Sequence, residues 1–236
     1  MIKKVEFNNS KGEKIKGLLK QTKPSRVLLL IGHGFKSSKE HPATVGVTDR
    51  LYTMGHSSFS FDFSKSAQNF NLKEQVEDII DIIRYFSIYK EFVLLAPSLG
   101  ALSMVIAARQ SAKVKGLIPI NGFFGTAQLG GSIIKEYLLF RLLVIFNKQY
   151  KKSWNYFKQN YQPEKINCKV LVIHAQHDDV VFIAQSKTFF NKLAGKKEMY
   201  ISESADHHLS SAADKQEIAE VIDRWLKKDS KVIHNP

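Results

Sequence analysis

The sequence predicts an α/β fold: a mostly parallel central sheet flanked by helices, with a small helical cap insertion. Three observations predict it. Short unbroken apolar runs recur along the chain, as in strands buried on both faces. Helix-length periodic segments lie between them, the alternation of βαβ units. Hydrophobic residues make up 44% of the 236 and charged residues 24%, a globular balance with enough apolar material for a core. No repeat, low-complexity tract or Pro/Gly/Ser-rich linker divides the chain, so residues 1–236 read as one domain.

Taken in order, Ile2 to Phe7 and Lys14 to Lys20 read as an antiparallel hairpin, joined through Asn8-Asn9-Ser10-Lys11-Gly12. Arg26 to Ile31, Phe92 to Ala96, Gly116 to Ile120 and Val170 to His174 are the continuous apolar runs. Leu72 to Tyr89 is the clearest helix, with Val76, Ile79, Ile80, Ile83 and Phe86 on one face. Another helix opens at Pro97-Ser98-Leu99-Gly100 and continues through Met104, Val105, Ile106 and Ala107. Glu198 to Ser202 reads as a late strand and Ser210 to Lys227 as the C-terminal helix. Residues 121–165 break the alternation. This aromatic, basic, helical stretch is too long for a simple connection and reads as a cap or lid over the strand ends.

Thirty-five basic and 22 acidic residues give a formal charge of +13, which favours anionic surfaces or substrates by electrostatic steering. The lysines are spread along the chain rather than set on a reading helix with aromatic partners, so nucleic-acid binding is not expected. A single cysteine, Cys168, excludes an internal disulfide framework and argues for a reducing compartment. It reads as a small buried residue at the mouth of a strand. Met1 to Phe7 carries no signal-peptide pattern. Ile133 to Phe146 is interrupted by Lys135, Glu136 and Arg141 and is too short to span a bilayer. A cytoplasmic location is the expectation.

The chemistry centres on Leu94-Leu95-Ala96-Pro97-Ser98-Leu99-Gly100-Ala101. A strand that ends at Ala96 and a helix that opens with Pro97-Ser98-Leu99-Gly100 put the serine on a sharp turn. Such a turn admits only small residues two positions to either side, here Ala96 and Gly100. The competing reading is a plain helix N-cap. The strand from Arg26 to Ile31 runs into Gly32-His33-Gly34-Phe35, whose glycines permit close backbone approach. The backbone N–H groups of Phe35 and Leu99 are the expected donors to an oxyanion. His33 reads as a brace for its turn rather than as a base.

These features resemble the α/β-hydrolase superfamily, in its small serine esterase and serine aminopeptidase-like group. The serine turn is similar to the G-x-S-x-G nucleophile elbow, with Ala96 in place of the first glycine. Gly32-His33-Gly34-Phe35 is similar to the H-G-F loop of bacterial feruloyl and cinnamoyl esterases. The resemblance runs over roughly residues 15 to 228 and is weakest in the cap. It implies that Ser98 is the nucleophile. Ala175-Gln176-His177-Asp178-Asp179-Val180-Val181 resembles the family's G-x-x-D-x-x-V, which makes Asp178 the acid, with Asp179 as its rival. Ser204-Ala205-Asp206-His207-His208-Leu209 resembles G-A-D-H-x-F, which makes His207 the base in preference to His208. The order Ser98, Asp178, His207, each after a predicted strand, fits the serine-hydrolase scheme. The stretch from Ser64 to Phe70 departs from the glycine-rich G-H-G-x-S of many relatives, and so reshapes a loop near the pocket.

Other chemistries fit less well. His174, His177, Asp178, Asp179, His207 and His208 are ligand types, but no fixed-spacing helix motif arranges them for a metal. No dinucleotide or phosphate-binding loop is present, and serine hydrolysis needs no cofactor. A non-catalytic binding protein would be expected to carry a degenerate triad. The expected substrate is a small ester or thioester with an apolar or aromatic acyl group, met by Phe35, Phe123, Phe124 and Tyr137. A peptidase or amidase is the alternative. Between Lys135 and Lys165, seven basic residues face two acidic ones, which favours an anionic substrate or weak contact with an anionic membrane surface.

Overall fold

The computed structural model describes residues 1–22, 25–68, 71–125 and 147–228. Strands β1 (Ile2–Asn8) and β2 (Lys14–Lys20) form the expected hairpin, with Ile2 opposite Lys20 and Asn8 opposite Lys14. Then come β3 (Val27–Ile31), β4 (Ser58–Asp62), β5 (Glu91–Pro97), β6 (Val114–Ile120), β7 (Lys169–Ala175) and β8 (Lys197–Ser202). The described strands make one sheet in the order β1-β2-β4-β3-β5-β6-β7-β8. Only the β1–β2 and β2–β4 pairings are antiparallel. Every pairing from β4 to β8 is parallel. The apolar runs are therefore strands buried on both faces, because helices cover the sheet from either side.

On one face lie α2 (Leu72–Tyr85), α3 (Gly100–Ala108) and α4 (Lys148–Asn160), closing a core with Phe59, Phe61, Leu94 and Val172. The other face is covered by α1 (Pro42–Thr53) and α6 (Ala212–Lys228), which pack Leu51, Ile218, Ile222 and Trp225 onto Leu29, Leu95 and Ile173. A further helix, α5 (Ile183–Lys192), stands between β7 and β8. Burying Leu72, Val76, Ile79 and Ile82 of α2 contributes about 1.5–3 kcal/mol each.

Three differences from the sequence reading have physical causes. Helices α1 and α5 were not anticipated, because their inward faces carry Thr44, Thr48, Gln185 and Ser186, which interrupt the apolar period. Helix α2 stops at Tyr85 rather than Tyr89; Phe86 caps it through its N–H to the Ile82 carbonyl. Pro97 closes strand β5 opposite Ile120 and does not open the helix. Of the insertion at 121–165, α4 and a short 3-10 turn (Pro163–Lys165) fall within the described residues, and 126–146 lie outside them.

Candidate active site

Ser98 sits between β5 and α3 with φ +51°. A non-glycine residue held there costs about 1–3 kcal/mol, so the surroundings must impose it. They do so through its backbone. The Ser98 N–H donates to the Ile120 carbonyl at 2.9 Å, and its own carbonyl accepts from Phe123 and Ala101 N–H, each at 3.1 Å. The demand for small neighbours is direct. A β-carbon at Gly100 would lie 2.3 Å from the His33 carbonyl oxygen and 3.1 Å from the Ala96 β-carbon.

The same contact seats the glycine loop beside the serine. A β-carbon at Gly34 would lie 3.4 Å from that of Ser98. His33 Nδ1 donates to the Gly34 carbonyl at 2.8 Å, and its ring stands edge-on to Phe63. Burial holds its pKa below the ordinary histidine range. Among the described residues, neither the Phe35 nor the Leu99 backbone N–H has an acceptor, so both are available to a ligand.

Asp178 lies in the turn after β7 and is buried, whereas Asp179 is exposed. Asp178 Oδ1 accepts from Val180 N–H at 2.9 Å and Val181 N–H at 2.7 Å. Its Oδ2 accepts from Nδ1 of His207 at 2.7 Å. A carboxylate only accepts, so the Nδ1 proton is fixed there and the Nε2 lone pair is left as the basic atom. His207 is 8% exposed, whereas His208 is exposed and stands edge-on to it at 5.1 Å. The structure thus brings together Asp178 and His207, and it sets the glycine loop against Ser98.

Sequence reasoning missed several supporting residues. His174 is fully buried beneath the acid turn, with Nε2 donating to the Val181 carbonyl at 2.8 Å and Nδ1 accepting from Ser186 Oγ at 2.7 Å. Both ring nitrogens are occupied, so it is a brace and not a metal ligand. Burial lowers its pKa. Asn121, at the end of β6, bonds to the acid and base loops. His41 caps α1 by accepting from Ala43 N–H, with its ring 6.2 Å from His208. The isolated histidines and asparagine gave no spacing signal; their partners are backbone groups distant in sequence.

Of the residues expected to line a pocket, Phe35 is 40% exposed and meets Tyr150 of α4 edge-on. Phe123 is half-buried beside the Ser98 carbonyl. Phe124 corrects the expectation. It is wholly buried and stacked on Phe189 at 4.1 Å, with its N–H bonded to Gln185 Oε1, so it belongs to the core. Tyr137 lies outside the described residues.

The chain is similar in structure to several esterases. The esterase domain of a Rhodothermus marinus protein is 22% identical, with a TM-score of 0.71 over 97% of this chain and 98% of that one. Est1E from Butyrivibrio proteoclasticus is 17% identical, with a TM-score of 0.73 over 94% and 97%. The Pyrococcus furiosus esterase Pf2001 is 17% identical, with a TM-score of 0.75 over 97% and 92%. At such identities the likeness shows the α/β-hydrolase fold. No curated protein matches the sequence. Residues 51–232, more than half of the chain, match the model of the prolyl oligopeptidase family, and the chain belongs to that family.

Proposed function

We propose that the protein is a serine hydrolase that cleaves carboxylic esters or thioesters through Ser98, His207 and Asp178. The observation that carries this reading is the 2.7 Å bond from His207 Nδ1 to buried Asp178, on the same sheet edge as Ser98 in its left-handed turn. His207 Nε2 takes the hydroxyl proton as Ser98 Oγ bonds to the substrate carbonyl carbon. The backbone N–H groups of Phe35 and Leu99 receive the oxyanion. As the tetrahedral adduct collapses, the leaving group departs with the proton held by His207. Water, deprotonated by His207, then releases the acid and restores Ser98. Asp178 holds the imidazole in the required tautomer and stabilises its charged form.

Residues 1–236 form a single catalytic domain in this reading, with 121–165 as its cap. Phe35 and Phe123 border the acyl group, which supports an apolar or aromatic acid. The match to a family named for oligopeptidases favours a second reading, cleavage of a peptide or amide by the same triad. Among the described residues no helix is long and apolar enough to cross a membrane; with a lone buried thiol, a cytoplasmic enzyme is the proposed setting. Steady-state assay of nitrophenyl esters with short to long acyl chains, beside aminoacyl and peptidyl amides, separates the two readings. Ester turnover that vanishes in Ser98→Ala is expected. Faster amide turnover would favour the peptidase, and full activity in Ser98→Ala would refute both.

A further inference from the structure

Asn121 follows β6 directly and is 1% exposed, in a backbone conformation with φ +48°. Asparagine is among the few side chains that enter this left-handed region readily. Both ends of its amide are engaged. Oδ1 accepts from the Ala175 N–H at 2.8 Å, where β7 turns into the acid loop. Nδ2 donates to the carbonyls of Asp206 at 3.2 Å and His207 at 3.1 Å. An N–H only donates and a carbonyl only accepts, so these partners fix the amide's orientation.

The adjoining backbone reaches the serine as well. Asn121 N–H bonds to the Ile173 carbonyl, Ile120 accepts from Ser98 N–H, and Phe123 N–H donates to the Ser98 carbonyl. The Ala175 carbonyl in turn accepts from Asp178 N–H at 3.3 Å. One buried side chain therefore spans the strand end that launches Asp178 and the loop that carries His207. His207 is held at its backbone by Asn121 and at its ring by Asp178.

We infer that Asn121 is a positioning residue that sets the separation of the acid and base loops, an assignment that rests on the serine-hydrolase reading above. The titratable groups around His207 are Asp178 in the acid turn, His174 at the end of β7, His41 at the start of α1, and Asp206 and His208 in its own loop. Of these, the Asp178 carboxylate is bonded to the ring and stabilises the imidazolium.

The test compares Asn121→Gly, which keeps the backbone conformation and removes both ends of the amide, with the parent enzyme on a nitrophenyl ester. The expected result is a kcat about 100-fold lower with KM nearly unchanged. A wild-type kcat would overturn the inference. So would a loss that simply follows a fall in Tm, or one that appears in KM rather than in kcat. Asn121→Asp is the second variant, and its Tm is measured with its kcat because it buries a carboxyl oxygen against two carbonyls. It keeps the volume, the left-handed backbone and the acceptor for Ala175, and loses both donors; the same loss of kcat is expected, and wild-type kcat would again contradict. Ser98→Ala is assayed alongside. If it is inactive while the Asn121 variants match the parent, only this inference fails; if it is active, the serine reading fails and takes this inference with it.

Discussion

A β-carbon at position 100 would meet the His33 carbonyl, a backbone atom that cannot swing aside. Gly100→Ala must therefore push the glycine loop away from the serine turn. Overpacking of this kind costs about 1–3 kcal/mol, and a lower Tm together with a lower kcat is expected; unchanged melting and kinetics would refute the fit. Asp178→Asn tests the tautomer. An amide whose oxygen stays on the Val180 and Val181 N–H groups turns its NH2 toward His207, so the proton shifts to Nε2 and the base is blocked. A kcat drop of about 10⁴-fold with intact folding is expected from steady-state kinetics. His174 contributes to acid sensitivity. Burial depresses its pKa, so below the ordinary value of about 6.5 the unfolded chain binds the proton that the native one refuses. Stability is then full above that pH and falls as pH drops, by up to about 1.4 kcal/mol per pH unit. Denaturation at pH 7.5 and 5.5 should show this fall, and His174→Gln should flatten it.

Two contacts between elements explain how the outer parts are fastened. The β1–β2 turn docks on the acidic side of α2. Asn9 Nδ2 donates to Asp78 at 2.8 Å, the Ser10 N–H donates to Asp81 at 2.8 Å, and Lys11 pairs with Glu74 and Glu77. Phe7 stacks on Tyr85 at 3.9 Å beside them. Asn71 lacks a side-chain cap bond at the start of α2; Ser153 Oγ of α4 accepts the Leu72 N–H instead, at 3.1 Å. Ser153→Ala should cost about 1 kcal/mol, read as a lower midpoint of denaturant unfolding. The outer side of α4 carries exposed Lys148, Lys151, Lys152 and Lys158. If this face meets anionic lipid, the protein sediments with phosphatidylglycerol vesicles at low salt and is released at about 0.5 M salt; equal recovery with neutral vesicles would contradict that role.

Across the whole molecule, legibility followed the kind of interaction. Strands β3, β5, β6 and β7 were readable because burial on both faces leaves unbroken apolar runs such as Leu28 to Ile31, whereas Ser58 and Ser60 break up β4, which was not read. Helices α1 and α5 were not, because Thr48, Gln185 and Ser186 point inward to polar or backbone partners. The turn at Ser98 was readable from the small residues it demands, whereas Asp178 and His207 were singled out only by the family resemblance of the loops that carry them. Asn121 was invisible, since its bonds go to backbone groups 54 and 86 residues away, which no local pattern records. The fold thus fixes three distant segments at one edge of the sheet, and the central claim is that they activate Ser98. Intact-mass analysis after treatment with a fluorophosphonate tests this most directly. One adduct is expected, mapping to Ser98, absent in Ser98→Ala and slow to form in His207→Ala. An adduct on another residue, or ester hydrolysis that persists with Ser98 unmodified, would contradict it.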